Sequence, residues 1–326
     1  MRDLDVLCYG EALVDLLPDS RGRLRDCERF HVHSGGAPAN VAVGLARLGR
    51  AVAFAGAVGD DEFGHLLARK LEAERIETHL RFDPQHRTGM WFVALDAQGN
   101  RSFFSPTGAT SADKHLTAAD LPQTVLQRAH WLHVGSSSHV LPAARGLLLD
   151  AVLRARALGV KISFDPNLRL HLWRDPRELQ RLVRGVFPHC ALVKLADDEV
   201  ALCTGEADPA AAAAWLVEQG VGVACITLGA QGALVQRGRE VLTVPAPQVD
   251  VVDTTGAGDG FVAGVLARLG AADPLTLALS AIEDAARFGC QVGARVCAAL
   301  GAVAGLPHSA SDAEPARGVL PAEPQH

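Results

Sequence analysis

The chain has no C-x-x-C pair, no excess of positive charge and no long uncharged apolar run. Each absence closes a class of function. The seven cysteines stand at 8, 27, 190, 203, 225, 290 and 297. An odd number without paired spacing suggests neither a disulfide framework nor a zinc knuckle, and most sit in apolar runs as reduced core residues. A formal net charge of −6 argues against nucleic acid as the main partner. Any phosphate site must then be made locally, from backbone N–H groups and a few cations. No stretch reaches the roughly 20 apolar residues of a membrane span. Met1-Arg2-Asp3-Leu4-Asp5 is charged and leads straight into a strand, so no signal peptide and a cytoplasmic location are expected. No internal repeat is evident.

What is present is ordinary for a globular protein: 326 residues, 48% hydrophobic and 21% charged. That length suffices for one large α/β domain or two smaller ones. The most informative stretch is Val249-Asp250-Val251-Val252-Asp253-Thr254-Thr255-Gly256-Ala257-Gly258-Asp259-Gly260-Phe261. Its valine-rich first half reads as a strand end, and Phe261 to Leu269 as a helical run. The glycine turn between them opens a helix, whose free N–H groups make a candidate anion cradle. Asp259 inside such a cradle has two readings. It is either a helix N-cap, or a general base that takes a substrate hydroxyl proton while Gly256, Ala257 and Gly258 hold a phosphoryl group. The turn is neither a P-loop, since no Gly-Lys-Ser/Thr follows, nor G-x-G-x-x-G.

Along the chain, Val6–Gly10 reads as a buried strand that Glu11–Leu17 continues, with Asp15 either an edge residue or a hydroxyl-binding carboxylate. Phe30–His33 reads as a returning strand; His31 and His33 lack a third metal ligand. Ser34-Gly35-Gly36-Ala37-Pro38-Ala39-Asn40 is a second glycine turn that enters a helix ending at Gly49. Val52–Gly56 is a strand, Glu62–Glu74 an amphipathic helix, and Thr88–Leu95 with Asn100–Ser105 a hairpin about Asp96–Gly99. From Trp131 the alternation is regular: strands at 131–134, 160–164, 190–194 and 223–227, helices at 143–158 and 209–219. Such a doubly wound, mostly parallel sheet places ligands at the carboxyl ends of its strands. Asp165-Pro166-Asn167-Leu168-Arg169, Lys194 and Thr227-Leu228-Gly229-Ala230-Gln231-Gly232 fall there. Arg169 suits phosphate geometry and Lys194 is a point charge. The tail from His308 to His326 is expected to be disordered.

Together Gly35–Asn40, Asp165–Arg169 and Asp253–Asp259 resemble the ribokinase-like, or PfkB, family of sugar kinases, from about residue 5 to Pro307. Within it Glu11, Pro38 and Trp173 lean toward the fructokinases, and aminoimidazole riboside kinases are very similar. The resemblance implies one kinase domain over 1–307, a three-layer α/β/α core with a small β lid at about 12–33 and 89–106. It implies transfer of the γ-phosphoryl of ATP to a sugar CH2OH, with fructose favoured over aminoimidazole riboside, 2-keto-3-deoxygluconate or ribose. Asp259 would be the base and Gly256, Ala257 and Gly258 the anion hole. Asp15, Gly35, Gly36 and Asn40 would hold sugar hydroxyls, with Arg169 near sugar and phosphates. Lys194, Thr227, Gly229 and Gly232 would line the nucleotide. Glu199 would act on Mg²⁺ through water, and K⁺ would lie by Asp253, Thr255, Val296 and Gly301. A homodimer through the lid is implied.

Four residues depart from the family pattern. Ala196 stands where Asn or Ser is usual, Gly260 where Ala or Thr is, and Cys290 and Leu300 where close relatives carry Asn and a basic residue. For the acceptor, the lid offers Phe30, Trp91, Phe92, Phe103 and Phe104 as a stacking wall. Strand alternation lets only one of Phe103 and Phe104 face the sugar. A non-catalytic sugar or nucleotide sensor on the same fold is the reading from another class, and the intact Asp259 turn argues against it.

Overall fold

The computed structural model describes residues 2–19, 22–95 and 101–313. Nine strands form the main sheet: β1 (Leu4–Tyr9), β4 (Val52–Gly59), β5 (Glu77–Asp83), β8 (Ala129–Val134), β9 (Lys161–Phe164), β10 (Leu192–Ala196), β11 (Val223–Thr227), β12 (Ala233–Arg237) and β13 (Glu240–Val244). Their order is β13-β12-β11-β10-β9-β8-β1-β4-β5. Pairing is parallel from β5 across to β11, and the β12–β13 hairpin closes the far edge antiparallel. The chain winds outward from β1 in one direction through β4 and β5, and from β8 in the other. The β1/β8 boundary is therefore the switch point, where a crevice opens beyond the carboxyl ends.

Alternate residues of each strand feed opposite faces. In β1, Val6 and Cys8 join one core with the helices Ala37–Arg47, Ala257–Leu269 and Leu279–Cys297. Leu7 and Tyr9 join the other, with helices 142–157, 176–186 and 209–218. These are the three layers expected. The lid is a separate sheet, β3-β2-β6-β7, made of β2 (Leu13–Pro18), β3 (Phe30–Gly35), β6 (Gly89–Leu95) and β7 (Arg101–Phe104).

Several expectations are corrected. Glu11–Leu17 does not continue β1: the chain leaves the main sheet at Gly10 and joins the lid as β2. Val249–Asp253 forms no strand and pairs with none, with Val249, Val251 and Val252 exposed. The N–H groups of Val252 and Asp253 instead donate to the carbonyl of Cys297, at 2.8 and 3.1 Å. The supposed disordered tail begins with a short helix, Ala310–Ala313, and its remainder lies outside the described residues, as does the hairpin turn Asp96–Gly99. No described helix is long and apolar enough to cross a membrane.

Candidate active site

At the switch point, under the inner lid strands β2 and β6, lies a cavity of about 420 Å³, within the usual size of a small-molecule site. Its floor is the start of the helix Ala257–Leu269. Gly256 caps that helix in the left-handed region at φ 79°, and a Cβ there would stand 2.6 Å from Ala302 Cβ, so this corner of the turn requires glycine. With Gly256 at the cap, Asp259 is the third helical residue, and the N-cap reading of it falls.

Asp259 is buried. Its Oδ2 accepts a hydrogen bond from Asn40 Nδ2 at 2.8 Å, and its Oδ1 a long one from Asn167 Nδ2 at 3.4 Å. Burial pushes the carboxyl from its ordinary 3.8 up to about 7; the Asn40 bond opposes this, Asp165 adds to it, and Lys194 and Arg169 oppose it. A carboxyl titrating near neutrality serves as a base that can take and return a proton. Asn167 is aimed by an unusual backbone: φ is +46°, a conformation Asn tolerates, and its N–H donates to Asp165 Oδ1 at 3.1 Å.

Lys194 lies mid-strand in β10, buried, with Nζ 3.1 Å from Asp165 Oδ2. Burial alone would lower its pKa, but Asp165, Glu199 and Asp259 outweigh it and hold the ammonium protonated. A Cβ on Gly258 would stand 2.8 Å from that Nζ, so the charge rests against the glycine turn. Helix N–H groups and a fixed cation together make an anion site. Arg169 stands exposed at the mouth, with no carboxylate within ion-pair distance among the described residues.

Asp15 faces down from β2, paired in register with His33 and Trp91. Its carboxylate accepts no hydrogen bond from the described residues. Burial raises it to about 7; Arg169 opposes this, and Asp253 and Asp259 add to it. A Cβ on its neighbour Gly35 would collide with Asp15 Oδ2 at 2.2 Å, so that glycine makes room for the carboxylate. Glu11, at the end of β1, also reaches the cavity and accepts from Ser138 Oγ at 2.8 Å.

A family model of the pfkB family carbohydrate kinases matches residues 3–309. The chain belongs to this PfkB family. Fructokinase from Salmonella typhimurium is 38% identical over 305 residues, 93% of this chain and 96% of that protein. A fructokinase double mutant from Vibrio cholerae O395, solved with fructose, ADP and potassium ion bound, superposes with a TM-score of 0.85 at 36% identity, over 94% of this chain and 97% of that one. Aminoimidazole riboside kinase from Salmonella enterica, solved with aminoimidazole riboside and an ATP analogue, gives 0.82 at 30%, over 94% and 98%. PfkB carbohydrate kinases are phosphotransferases acting on a sugar hydroxyl, and this chain is one of them.

Of the residues the PfkB resemblance singles out, the cavity unites Asp15, Gly36, Asn40, Arg169, Lys194, Gly256, Gly258 and Asp259. Beside it, Asp253 ties two loops together. Its Oδ1 accepts from Thr255 N and Oγ1, at 2.9 and 2.7 Å, and its Oδ2 from Gly301 N at 2.9 Å. The carboxylate is buried.

Glu199 stands apart from the cavity lining. Its two oxygens accept the N–H groups of Leu168 and Ala196 at 2.6 and 2.8 Å, which ties the 165–169 loop to the end of β10. Thr227, Gly229 and Gly232 also lie off this cavity, in the β11–β12 turn one strand further out; Gly232 packs directly under the Val244 carbonyl. No group of three or more His, Cys, Asp or Glu among the described residues could hold a metal ion.

Sequence reading missed Asn167 as a site residue, although it lies inside a quoted motif. It also missed Lys114, which carries no motif. Of the lid aromatics, Trp91 lines the cavity. Phe92 packs edge-on against Phe30 and near Phe104, so these three pack on one another away from the sugar; the Phe103 side chain lies outside the described ones.

Proposed function

We propose that this chain is an ATP-dependent fructokinase in which Asp259 is the general base. The observation that carries the reading is the buried Asp259 carboxylate, set at a glycine-capped helix start, oriented by Asn40 and Asn167 and faced by Lys194. The sugar CH2OH gives its proton to Asp259 while its oxygen attacks the γ-phosphorus of ATP in line, and ADP leaves with the bonding electron pair. The N–H groups of Gly256, Ala257 and Gly258 and the ammonium of Lys194 stabilise the charge that spreads over the transferred group. Asp15 and Asn40 position the sugar hydroxyls, and Arg169 closes the mouth over sugar and phosphates.

Mg²⁺ arriving on the nucleotide phosphates would neutralise their charge; Glu199, already accepting two N–H groups, would touch it only through water. K⁺ would be held by Asp253 and the carbonyls of its loop. Thr227, Gly229 and Gly232 would meet the nucleotide beyond the phosphates.

Fructose is favoured as acceptor by the curated fructokinases at 34–40% identity and by a cavity rich in hydroxyl-binding carboxylates. Aminoimidazole riboside is the second reading, because Trp91 supplies a flat wall, set against His171 with ring centres 5.2 Å apart. A homodimer through the lid belongs to the same proposal, supported by the exposed Val32 and Phe104 on its two outer strands, as does a cytoplasmic location.

The test is ADP formation with purified protein, Mg-ATP and K⁺. The panel is fructose, ribose, 2-keto-3-deoxygluconate and aminoimidazole riboside, compared by kcat/KM. Fructose is expected to lead. A riboside value well above it would overturn the acceptor and leave the kinase standing; no ADP with any acceptor would favour the sensor reading.

A further inference from the structure

Lys114 ends the short 3-10 turn Ala112–Lys114 that follows the lid, and its side chain lines the acceptor cavity. Lysines are rarely buried, yet this one is 2% exposed and its neighbour Asp113 1%. Lys114 Nζ donates to Asp113 Oδ2 at 2.7 Å. An ammonium has three N–H donors, so two are left without a partner among the described residues. Asp113 Oδ1 is likewise buried without a partner, and Gly89 of β6 leaves it space: a Cβ there would stand 2.9 Å from that oxygen. Burying charged groups with hydrogen-bonding capacity unused is costly. Such a pair suits a pocket whose occupant brings oxygen acceptors.

The position of Lys114 says which end of the occupant it meets. The turn that carries Lys114 packs on Ser137–His139 and on β4, and Asp113 packs against Gly89 at the start of β6, whereas Asp259 is held by Asn40 and Asn167. Lys114 therefore enters the cavity from a different wall than the base. Building on the fructokinase reading above, we propose that Lys114, held by Asp113, sets acceptor choice. Its Nζ donates to the hydroxyl of the sugar remote from the one that Asp259 deprotonates, and so favours a ketohexose over a riboside, whose remote end is a flat heterocycle. In fructofuranose, phosphorylated at one primary hydroxyl, that remote group is the other primary hydroxyl.

Three acceptors separate this role from a merely structural one: D-fructose, 1-deoxy-D-fructose and aminoimidazole riboside, each with wild type, Lys114→Met and Lys114→Arg. Losing a hydrogen bond from a charged donor lowers kcat/KM by about 10- to 100-fold. Lys114→Met is expected to lose that factor on fructose, through KM, and to change riboside turnover by less than about threefold. 1-Deoxy-D-fructose is expected to be a poor acceptor for wild type and equally poor for Lys114→Met, while Lys114→Arg regains part of the fructose activity. An equal loss on all acceptors, or an unchanged fructose KM in Lys114→Met, would overturn the proposal. So would a wild type that does not distinguish fructose from its 1-deoxy form, a result that needs no variant to fold. A wild type that phosphorylates no ketose overturns the fructokinase reading itself, a result distinct from all of these.

Discussion

Asn40 Nδ2 donates to Asp259 Oδ2 at 2.8 Å, both side chains buried, and this bond distinguishes the two carboxylate oxygens. Oδ1 has only the long 3.4 Å contact from Asn167, which makes it the oxygen that the proposed mechanism uses. The same bond favours the charged carboxylate and partly offsets the burial that raises it to about 7.

Replacing Asp259 by Asn keeps the shape and removes the base. Loss of a positioned base costs about 10²–10⁴ in rate. Asp259→Asn is expected to lose kcat by that factor while nucleotide binding, measured by calorimetry, survives. A near-normal kcat would remove Asp259 from the chemistry.

Asn40→Ala removes a donor to the charged form and so lifts the Asp259 pKa further. With the Asp259 carboxyl raised to about 7, the rising limb of kcat/KM against pH is expected near there in wild type and at higher pH in the variant. The stability sign is opposite to that of a salt-bridged carboxylate. With the folded value above the unfolded 3.8, the stability contributed by the neutral carboxyl is complete below about 3.8 and is lost as pH rises through about 7. Melting curves of wild type and Asp259→Asn should therefore converge in acid and separate at pH 8, with the Asn variant the more stable.

Asp15→Ala is expected to raise the sugar KM by about tenfold or more, the effect of losing a buried acceptor for a hydroxyl, with the ATP KM nearly unchanged. Steady-state titration of each substrate checks this, and a sugar KM that stays put would return Asp15 to a structural part.

Glu199→Ala leaves two backbone N–H groups, of Leu168 and Ala196, without their acceptors. Each unsatisfied group costs about 1–3 kcal/mol. The melting temperature of the ligand-free variant is expected to fall clearly. An unchanged melting temperature together with a raised Mg²⁺ requirement would instead put Glu199 at the metal.

Potassium is expected to raise activity above that in an equal concentration of tetramethylammonium, because a cation by Asp253 would order the turn next to the transferred phosphoryl group. Equal rates in the two salts would show that the loop of Asp253 and Gly301 works through its own hydrogen bonds alone.

The glycine turns and the β/α alternation were legible because they are local: φ above zero demands glycine, and buried parallel strands read as apolar runs. β5 was not legible, since Glu77–Asp83 is a polar, half-buried edge strand. Glu11–Leu17 was misread because an apolar run does not encode which of two sheets it joins. Val249–Val252 has the composition of a strand, but the N–H of Val252 finds its acceptor in the carbonyl of Cys297 at the end of a helix rather than in a neighbouring strand. Asn167 and Glu199 lie in or beside quoted motifs, yet the aim of one depends on a left-handed backbone and that of the other on loop N–H groups brought near by folding. Lys114 reaches the site only through the return of the lid.

The residues gathered around Asp259 enter the world in a fixed order. Asn40 precedes it by 219 residues and Asn167 by 92, so on a ribosome that delivers the amino end first the acceptor pocket is synthesised well before its base. A nascent chain that has emerged only through β11 contains Asp15, Asn40, Asn167 and Lys194 but neither Asp259 nor the glycine turn before it. The helix that brings Asp259 must then dock on the early helix Ala37–Arg47, a long-range closure of the slow kind. On the role proposed for Asp259, kinase activity begins with one late docking event, and a chain stalled short of it lacks its base.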